Sequence, residues 1–485
     1  MNALPIYYLL VVHFFSERYH GSIQLVRRGK LAELHWESRE CPDVRFLGCN
    51  RVDVHRGEAP SFGYVSGDNL NPVRSYVVLR GRSIPDGVYA YDASGKSDAP
   101  DVEGQLVRIA GKESIRRIVA AFPDRDVVED APLLYLFIGC LERSVWRYRE
   151  AAYAQVMQDA GACAASVLLH AKSRGAKVFA LGGFVDDEIA VALNLSVTEV
   201  PLAALAVYPE YSETAFNSVD EGVGETAYSN HGEIGAAGEW EGLSVAECAP
   251  GGGVYGTPGR YPSLFMLQNR RECIVDLSGC IRIRRLSAQA LPGDEFPLTP
   301  AMYEATQYLG KLAGMEPVVP SFRPFRKAGL DLDDFSGLLR WLEVGQIHLF
   351  GAGLLKIWVI AFDVMFVYPG VYRYVPVRKS IYMQSGAVNE KRFAKCHAAP
   401  EEAENTAFAL VLTADLNESC NLLGERAYRY MNLNAGYVVQ SLALSSRIIR
   451  KTSRSERFYF HDELRNLCGL PENESIVAEI LVGKA

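Results

Sequence analysis

Two pairs of arginines recur with a three-residue spacing that suits an anionic ligand. They are Arg323 with Arg326, and Arg426 with Arg429. Residues three apart on a helical turn point the same way, and the planar guanidinium fork matches phosphate oxygens. The spacing predicts a phosphate-binding site. For the first pair, two solvated arginines are an equally good interpretation, and for the second pair the residues alone favour surface charges.

Two short segments carry groups able to approach a planar ligand. Residues 66–72 read Ser-Gly-Asp-Asn-Leu-Asn-Pro, in which the Ser66 hydroxyl and the Asn69 amide can bond ring or phosphate oxygens. Gly182 and Gly183 have no side chains, so the backbone there can come close to a ring. Each segment is also typical of an ordinary turn, and both interpretations stay open.

Composition excludes several classes of function. The 485 residues carry a net charge of −8, with 49% hydrophobic and 22% charged residues, which is typical of a globular protein with two or three domains. No basic patch interleaves with aromatic residues, so we predict no nucleic-acid partner. The ten cysteines are scattered without a C-x-x-C pair, so we predict no metal site and free thiols in a reducing compartment.

The apolar start of the chain does not change this picture. Residues 1–15 lack a basic beginning and a small-residue cleavage site, and they are too short to span a bilayer. Their alternation favours a buried strand. We therefore predict a cytoplasmic protein without a membrane partner.

An internal repeat is the strongest signal in the sequence. Residues 150–201 match residues 425–476 at a constant shift of 275, without a gap, and Ala160-Gly161 meets Ala435-Gly436. Upstream, Gly-Val-Tyr-Ala-Tyr at 87–91 resembles Gly-Val-Tyr-Arg-Tyr at 370–374. Two matches in the same order predict duplication of a whole domain.

The repeated unit reads as strands around one long helix. Apolar, β-branched runs predict strands at 75–79, 132–139, 356–362 and 406–413, and final strands at 202–207 and 476–482. Helical periodicity predicts long helices through 159–174 and 434–447, with small residues that allow close packing. Shorter helices are expected from Asp186 and Asp462, since acidic residues suit a helix N-terminus.

These motifs, in this order, resemble the SagB-type dehydrogenases of the nitroreductase superfamily, which include azoline oxidases. The resemblance covers roughly residues 60–207 and 297–485. The motifs that carry it are the loop at 66–72, Gly-Val-Tyr-x-Tyr, Tyr-x5-Asp-Ala-Gly at 153–161, Gly-Gly-Phe at 182–184, Arg-Pro-Phe-Arg at 323–326 with the helix after it, Gly-Glu-Arg-Ala-Tyr-Arg-Tyr at 424–430, Asn-Ala-Gly at 434–436 and Gln440.

The resemblance implies an α+β fold of two tandem nitroreductase-like domains. Each would have an antiparallel or mixed sheet flanked by helices, and the long helices would form the interface of an intrachain pseudo-dimer. We assign residues 1–59 to an N-terminal segment that includes the start of the first domain, 60–207 to that domain, 208–296 to a linker or insertion, and 297–485 to the second domain.

The resemblance also implies bound FMN and a redox function. The favoured hypothesis is an FMN-dependent oxidase or dehydrogenase that tailors a peptide natural product, as in oxidation of an azoline to an azole. A flavin-free scaffold in a biosynthetic complex and an NAD(P)H-dependent reductase are the alternatives. The partners implied are a peptide or small-molecule substrate, a cyclodehydratase, and a second copy of the chain in a homodimer.

The two copies keep different parts of the implied flavin site. The second copy has Arg323, Arg326, Arg426 and Arg429, whereas the first has the loop with Ser66 and Asn69, which the superfamily sends across to the partner's flavin. The first copy also keeps the turn with Gly182 and Gly183, where the second has Arg457-Phe458. We therefore expect one composite FMN site per chain.

The residues implied for acid–base catalysis match the family pattern less well than the flavin-site residues do. Azoline oxidases carry a Lys-Tyr pair before the arginine run, and the first copy has Arg147-Tyr148 there, whereas the second has Leu422-Leu423. Tyr148 is able to move a proton, and we expect its neighbour Arg147 to lower its pKa. Because arginine does not act as a base, the departure argues against azoline oxidation.

Overall fold

The computed structural model describes two halves of the chain. The described residues are 52–53, 61–62, 64–80, 85–92, 105–123, 125–173, 175–209, 293–299, 325–344, 350, 355–424 and 426–484. The predictions for residues 1–15, for most of 208–296 and for Arg323 lie outside them. Below, residues 64–209 are called the first half and residues 293–484 the second half.

Fifteen strands and eleven α-helices are defined in this part of the chain. The strands are β1 Val52–Asp53, β2 Ser61–Phe62, β3 Val73–Leu79, β4 Gly87–Asp92, β5 Gln105–Ala110, β6 Leu133–Cys140, β7 Lys177–Leu181, β8 Glu199–Tyr208, β9 Glu295–Pro297, β10 Lys356–Ala361, β11 Gly370–Val375, β12 Ser380–Ser385, β13 Phe408–Ala414, β14 Thr452–Glu456 and β15 Ser475–Gly483. The helices are α1 Lys112–Ala120, α2 Arg125–Glu129, α3 Glu142–Tyr148, α4 Ala152–Ser173, α5 Asp186–Leu193, α6 Leu332–Val344, α7 Glu390–Ala394, α8 Pro400–Ala403, α9 Leu416–Leu423, α10 Arg426–Ile448 and α11 His461–Cys468.

The two halves contain sheets of the same strand order. The first sheet runs β5-β4-β3-β6-β8-β7, and the second runs β12-β11-β10-β13-β15-β14 with β9 added beside β12. Every described strand pair in both is antiparallel. The prediction of antiparallel sheets with helices is confirmed, and the strands and long helices fall where the sequence patterns put them. The domain boundaries stay predictions.

Each central strand is apolar along its whole length because both of its faces are covered. In β6, Tyr135 and Phe137 face the interior between the halves, whereas Leu134 and Leu136 face a separate core beneath α1, α2 and α5. In β13, the same alternation separates the shared interior from a core beneath α7, α8 and α11. A strand buried on both faces reads as a continuous apolar run.

The two long helices pack against each other at the centre of the molecule. Gln158 on α4 donates to Asn432 on α10 (3.1 Å), and further along Gln440 donates to Ser166 (2.8 Å). These contacts advance in the same direction along both helices, so α4 and α10 lie side by side and point the same way. Both helices are buried almost throughout, and their side chains share one apolar cluster with both sheets.

The repeated Ala-Gly dipeptide marks the closest approach of these helices. A Cβ added at Gly161 would lie 1.9 Å from the Leu433 carbonyl oxygen, and one added at Gly436 would lie 1.8 Å from the Gln158 carbonyl oxygen. Backbone therefore touches backbone at both glycines, which only a residue without a side chain permits. The repeat positions the two halves against each other.

Among the described residues, no helix is long and apolar enough to cross a membrane.

Candidate functional site

The loop that carries Ser66 is tied to both long helices. The Val65 N–H donates to Gln440 Oε1 on α10 (2.7 Å), and the Ser66 hydroxyl donates to Asp159 Oδ2 on α4 (2.6 Å). The same hydroxyl accepts from the Asn71 N–H (2.9 Å). A segment of the first half is thereby held against a helix of the second half. Asn69 lies in the 3-10 turn Gly67–Asn69 of this loop, and its side chain is outside the described part.

Asp159 is the anchor of this arrangement and joins the two halves. Its carboxylate accepts from the Gly67 N–H (3.3 Å) and from the Arg457 guanidinium (3.0 Å), in addition to Ser66. The side chains of Asp159 and Arg457 are 3% and 7% exposed. Burial raises the pKa of Asp159, and the Arg457 charge and these hydrogen bonds offset part of that rise. Asp159 belongs to the Tyr-x5-Asp-Ala-Gly motif, but the sequence alone indicates no role for it.

A cleft of about 600 Å³ opens between this loop and the end of α10 with β14. The first half contributes residues 65–68 and Arg147, and the second half contributes the rest. Five arginines and lysines line it against three carboxylates, which leaves an excess of positive charge. The cationic lining residues are Arg147, Arg447, Lys451, Arg454 and Arg457.

Arg147 and Tyr148 meet this cleft at Phe458. Arg147 forms an ion pair with Asp68, and its guanidinium carbon lies 4.7 Å from the centre of the Phe458 ring. The Tyr148 ring stacks on the same ring with centroids 5.6 Å apart. Burial raises the pKa of Tyr148 well above its ordinary value, although the Arg457 charge opposes the shift. The expectation of a lowered Tyr148 pKa is therefore wrong, because desolvation outweighs the positive charge nearby.

Arg326 does not line the cleft but follows a residue that contacts its wall. Its backbone N–H donates to the Lys484 carbonyl oxygen (2.7 Å), and its side chain is exposed. The preceding residue, Phe325, lies beneath the guanidinium of Arg454 with 5.0 Å between the carbon and the ring centre. Arg454 itself lines the cleft. Arg326 is thus placed one residue from a side chain that contacts the cleft wall.

Arg426 and Arg429 lie at a different junction between the halves. Arg426 donates to the carbonyl oxygens of Gly182 (3.0 Å) and Phe184 (2.6 Å), and to Asp186 (2.6 Å). Arg429 donates to the other oxygen of Asp186 (2.8 Å). Burial by itself lowers the pKa of Arg429, but the charge of Asp186 outweighs burial and raises it. Both arginines are committed to the turn that carries Gly182 and Gly183.

The two junctions are related by the repeat and filled differently. Positions 182 and 457 correspond at a shift of 275, as do positions 155 and 430. At one junction Arg457 donates to Gln155, and at the other the Tyr430 ring packs so closely on Gly182 that an added Cβ would lie 2.4 Å from it. Along α10, Arg429 is about 21 Å from the cleft residue Ala443 at the helical rise per residue.

The structure therefore separates the predicted site residues into two groups. Ser66 and Arg147 line the cleft, and Tyr148 stacks on the lining residue Phe458. Arg326 follows Phe325, which contacts the lining residue Arg454. Gly182, Gly183, Arg426 and Arg429 come together at the Asp186 junction. Arg447 and Lys451 were not predicted, and their only signal in the sequence is a basic stretch that begins in the last turn of the repeated helix. Within the described part of the chain, no cluster of His, Cys, Asp or Glu is placed to hold a metal ion.

Removing Asp186 should destabilise the protein strongly. Asp186→Ala leaves Arg429, whose side chain is only 8% exposed, with an uncompensated charge, at a cost of about 3 kcal/mol. Urea denaturation measures this loss. The matched control on the same helix is Glu188→Ala, which breaks the half-exposed pair with Arg117 and should cost below about 1 kcal/mol. Equal losses of unfolding free energy in the two variants would contradict the role of Asp186 as the counter-charge of the buried Arg429.

Comparisons with known proteins agree with this geometry at the level of the fold. Residues 52–207 match the nitroreductase family. A nitroreductase-type protein from Methanocaldococcus jannaschii is 25% identical over 118 residues, which make up 24% of this chain and 60% of that protein. The chain thus spans about three fifths of the length of that relative.

Solved structures extend the likeness over both halves. The crystal structure of a nitroreductase-type protein from Anabaena variabilis superimposes with a TM-score of 0.70, covering 98% of this chain and 99% of that one at 17% identity. At this identity the likeness shows the fold, which is a nitroreductase-like α+β fold with two antiparallel sheets. A chain of the E. coli microcin synthetase McbBCD complex with truncated pro-MccB17 bound matches 46% of this chain and 86% of its own length at 14% identity. Its TM-score of 0.31 is too low to show a shared fold.

Proposed function

We propose that this protein is an FMN-dependent oxidoreductase whose two halves form an intrachain pseudo-dimer with one flavin cleft per chain. Nitroreductase family domains are commonly those of FMN-dependent oxidoreductases. The observation that carries the proposal is the cleft itself, because the loop at 65–68 of the first half closes a space whose other walls belong to the second half. Such shared sites are what a pair of nitroreductase-like domains would build.

The residues of the cleft fit a flavin mononucleotide. A volume of about 600 Å³ is within the range of small-ligand pockets. Arg447 and Lys451 bring cationic donors suited to a phosphate. The Phe458 ring, on which Tyr148 stacks, provides an aromatic wall. The roles of Arg326, Arg323 and Asn69 in holding the flavin stay proposals.

The chain's own groups would orient the ligand and manage a proton. Bound flavin supplies the transfer of electrons or hydride, which side chains cannot perform. The Ser66–Asp159–Arg457 network fixes the loop that closes the cleft. Tyr148 keeps its proton at neutral pH because burial raises its pKa, so it serves as a hydrogen-bond donor or general acid and not as a base.

We propose that the substrate is a peptide and that the reaction is its oxidative tailoring. Its support is the resemblance of residues 424–430 and 434–436, together with the protonated Tyr148, whose ring stacks on the cleft residue Phe458. Against it stands the absence of a Lys-Tyr pair in the second copy, where Leu422 and Leu423 occur. A cyclodehydratase partner, a homodimer of chains and the cytoplasmic location are part of this proposal.

The deciding experiment is the stoichiometry of bound flavin in the purified protein. We expect the visible absorption of oxidised flavin at one FMN per chain, with re-oxidation of the reduced protein by oxygen and no reduction by NAD(P)H. Two FMN per chain would exclude the single composite cleft. Rapid reduction by NAD(P)H would favour the reductase, and a colourless protein that gains no spectrum with added FMN would favour the scaffold.

The phosphate contacts give a sharper test. Arg447→Gln and Lys451→Gln should each weaken FMN binding by about tenfold or more, since a hydrogen bond to a charged group contributes about 1.5–3 kcal/mol. Binding of riboflavin, which has no phosphate, should change little in either variant. Arg116→Gln, on an exposed face of α1, is the control and should bind both flavins like the wild type. Equal loss of both flavins would contradict a phosphate role.

A further inference from the structure

A histidine and a glutamate are fully buried behind one wall of the cleft. His397 Nδ1 lies 3.0 Å from the Phe393 carbonyl oxygen and 3.3 Å from that of Ala394. His397 Nε2 lies 2.9 Å from Glu479 Oε2 on β15. Neither side chain is exposed to solvent. Neither residue is used in the proposed flavin cleft.

This geometry requires the pair to share one proton. Carbonyl oxygens only accept, so Nδ1 of His397 must carry a hydrogen. The second proton then lies either on Nε2, facing a carboxylate, or on Glu479, donating to Nε2. If that proton is lost, a nitrogen lone pair faces a carboxylate where neither side chain has any solvent exposure. A buried charge without a compensating donor is costly.

The histidine is bound through its own backbone to the cleft wall. The Ala398 N–H donates to the Phe458 carbonyl oxygen (2.8 Å), and the Phe460 N–H donates to the Cys396 carbonyl oxygen (2.7 Å). These bonds flank His397, which pairs with Tyr459. Ala398 and Phe458 both line the cleft, and Phe458 is the ring on which Tyr148 stacks.

Other titratable groups surround the pair on each packed element. Glu456 on β14 stands directly across from Glu479 and accepts from the backbone N–H groups of Arg457 and Phe458. Burial raises the pKa of the Cys396 and Cys468 thiols above their ordinary values. Arg392 and Glu463 are further charged groups near Cys396.

The pKa directions agree with the shared proton. Burial alone lowers the pKa of His397, but the hydrogen bond and charge of Glu479 outweigh it, so the pKa is raised. Burial raises the pKa of Glu479, and His397 offsets only part of this rise. Both directions mean that the folded pair holds its proton above the pH at which the unfolded residues release it.

We infer that His397 and Glu479 are positioning residues that hold residues 457–459 in the cleft wall through one shared proton, so that stability and ligand affinity fall together at alkaline pH. Above about pH 6.5 the unfolded chain has lost this proton whereas the folded pair keeps it. The contribution is therefore complete below that pH and declines as pH rises, by up to tenfold in the unfolding constant per pH unit. Only the ligand-affinity part rests on the proposed function.

Glu479→Gln distinguishes the contribution of this pair to the pH dependence of stability from the contributions of other groups that titrate at alkaline pH. A glutamine amide can donate to the neutral Nε2 of His397 while Nδ1 keeps its carbonyl acceptors, so no proton has to be held. From about pH 7 to about pH 10, above the ordinary histidine pKa, the wild type should lose stability more steeply than the variant. Over the same range, the Ala398 and Phe460 amides should exchange faster in the wild type relative to the variant.

The control is Glu474→Gln, which alters a buried glutamate that bonds Trp358 and Thr413 but no histidine. It should keep the wild-type slope. Parallel slopes for wild type and Glu479→Gln, or unchanged exchange at Ala398 and Phe460, would overturn the inference. If Glu479→Gln does not fold, NMR of wild-type His397 decides: a titration near pH 6.5 overturns the shared proton. Absence of FMN binding at any pH refutes only the proposed function, since stability and exchange still decide the inference.

Discussion

Gly161→Ala should prevent or severely weaken packing of the two long helices. The new methyl carbon would lie 1.9 Å from the Leu433 carbonyl oxygen, and neither partner is a flexible side chain that can move aside. The helices must separate, which costs at least about 2 kcal/mol even after the gain in helix propensity from alanine. Gly436→Ala, with its contact at 1.8 Å, should behave the same way. Chemical denaturation followed by circular dichroism measures both losses.

A third helical glycine provides the control. A Cβ added at Gly337 on α6 meets no atom within 4 Å. Gly337→Ala should therefore be neutral or raise the free energy of unfolding by about 0.5–1 kcal/mol, because alanine restricts the unfolded chain. If all three variants gained stability alike, helix propensity alone would decide the outcome, and the close approach at Gly161 and Gly436 would be disproved.

Asp159→Ala should lower both the affinity for FMN and the free energy of unfolding. The substitution leaves Arg457 buried without its carboxylate and releases Ser66 and Gly67 from α4. Loss of one partner of a buried ion pair costs about 3–5 kcal/mol. Because the released loop closes the cleft, FMN affinity should fall by more than tenfold. Denaturation and flavin fluorescence quenching give the two values.

Asp159→Asn separates the charge from the hydrogen bonds. The amide oxygen can still accept from Ser66, so the loop should stay partly anchored and the stability loss should be smaller than for alanine. Glu113→Ala, which breaks an exposed pair with Arg116, should change stability by no more than about 0.5 kcal/mol. Full FMN affinity in Asp159→Ala would show that the loop does not close the cleft.

The sequence predicts most of the elements because their signals are local. The apolar runs of β6 and β13 and the periodicity of α4 and α10 each reflect burial that every residue of the element experiences. The 275-residue repeat adds that the elements occur twice in one order. The glycine contact could be expected from the small residues at 160–166, although not its partner atoms.

The site is less predictable because it depends on contacts between distant residues. Arg429 pairs with Asp186 across 243 positions, and no local pattern indicates which carboxylate a given arginine meets. The same holds for Arg457 and Asp159, 298 positions apart. The pKa of Tyr148 is likewise decided by burial beneath Phe458, a tertiary contact, and not by its sequence neighbour Arg147.

The unlike filling of the two junctions has a consequence for how such a protein can evolve. In a dimer of identical subunits, one codon change alters both junctions at once, so a bulky residue that closes one also closes the other. On a single chain, positions 182 and 457 are separate codons, and so are 155 and 430. One junction holds a glycine and a tyrosine, and the other holds an arginine and a glutamine. Each pair can therefore change by mutation without altering the other. One junction can therefore evolve toward holding the two halves together, while the other can evolve toward binding a ligand.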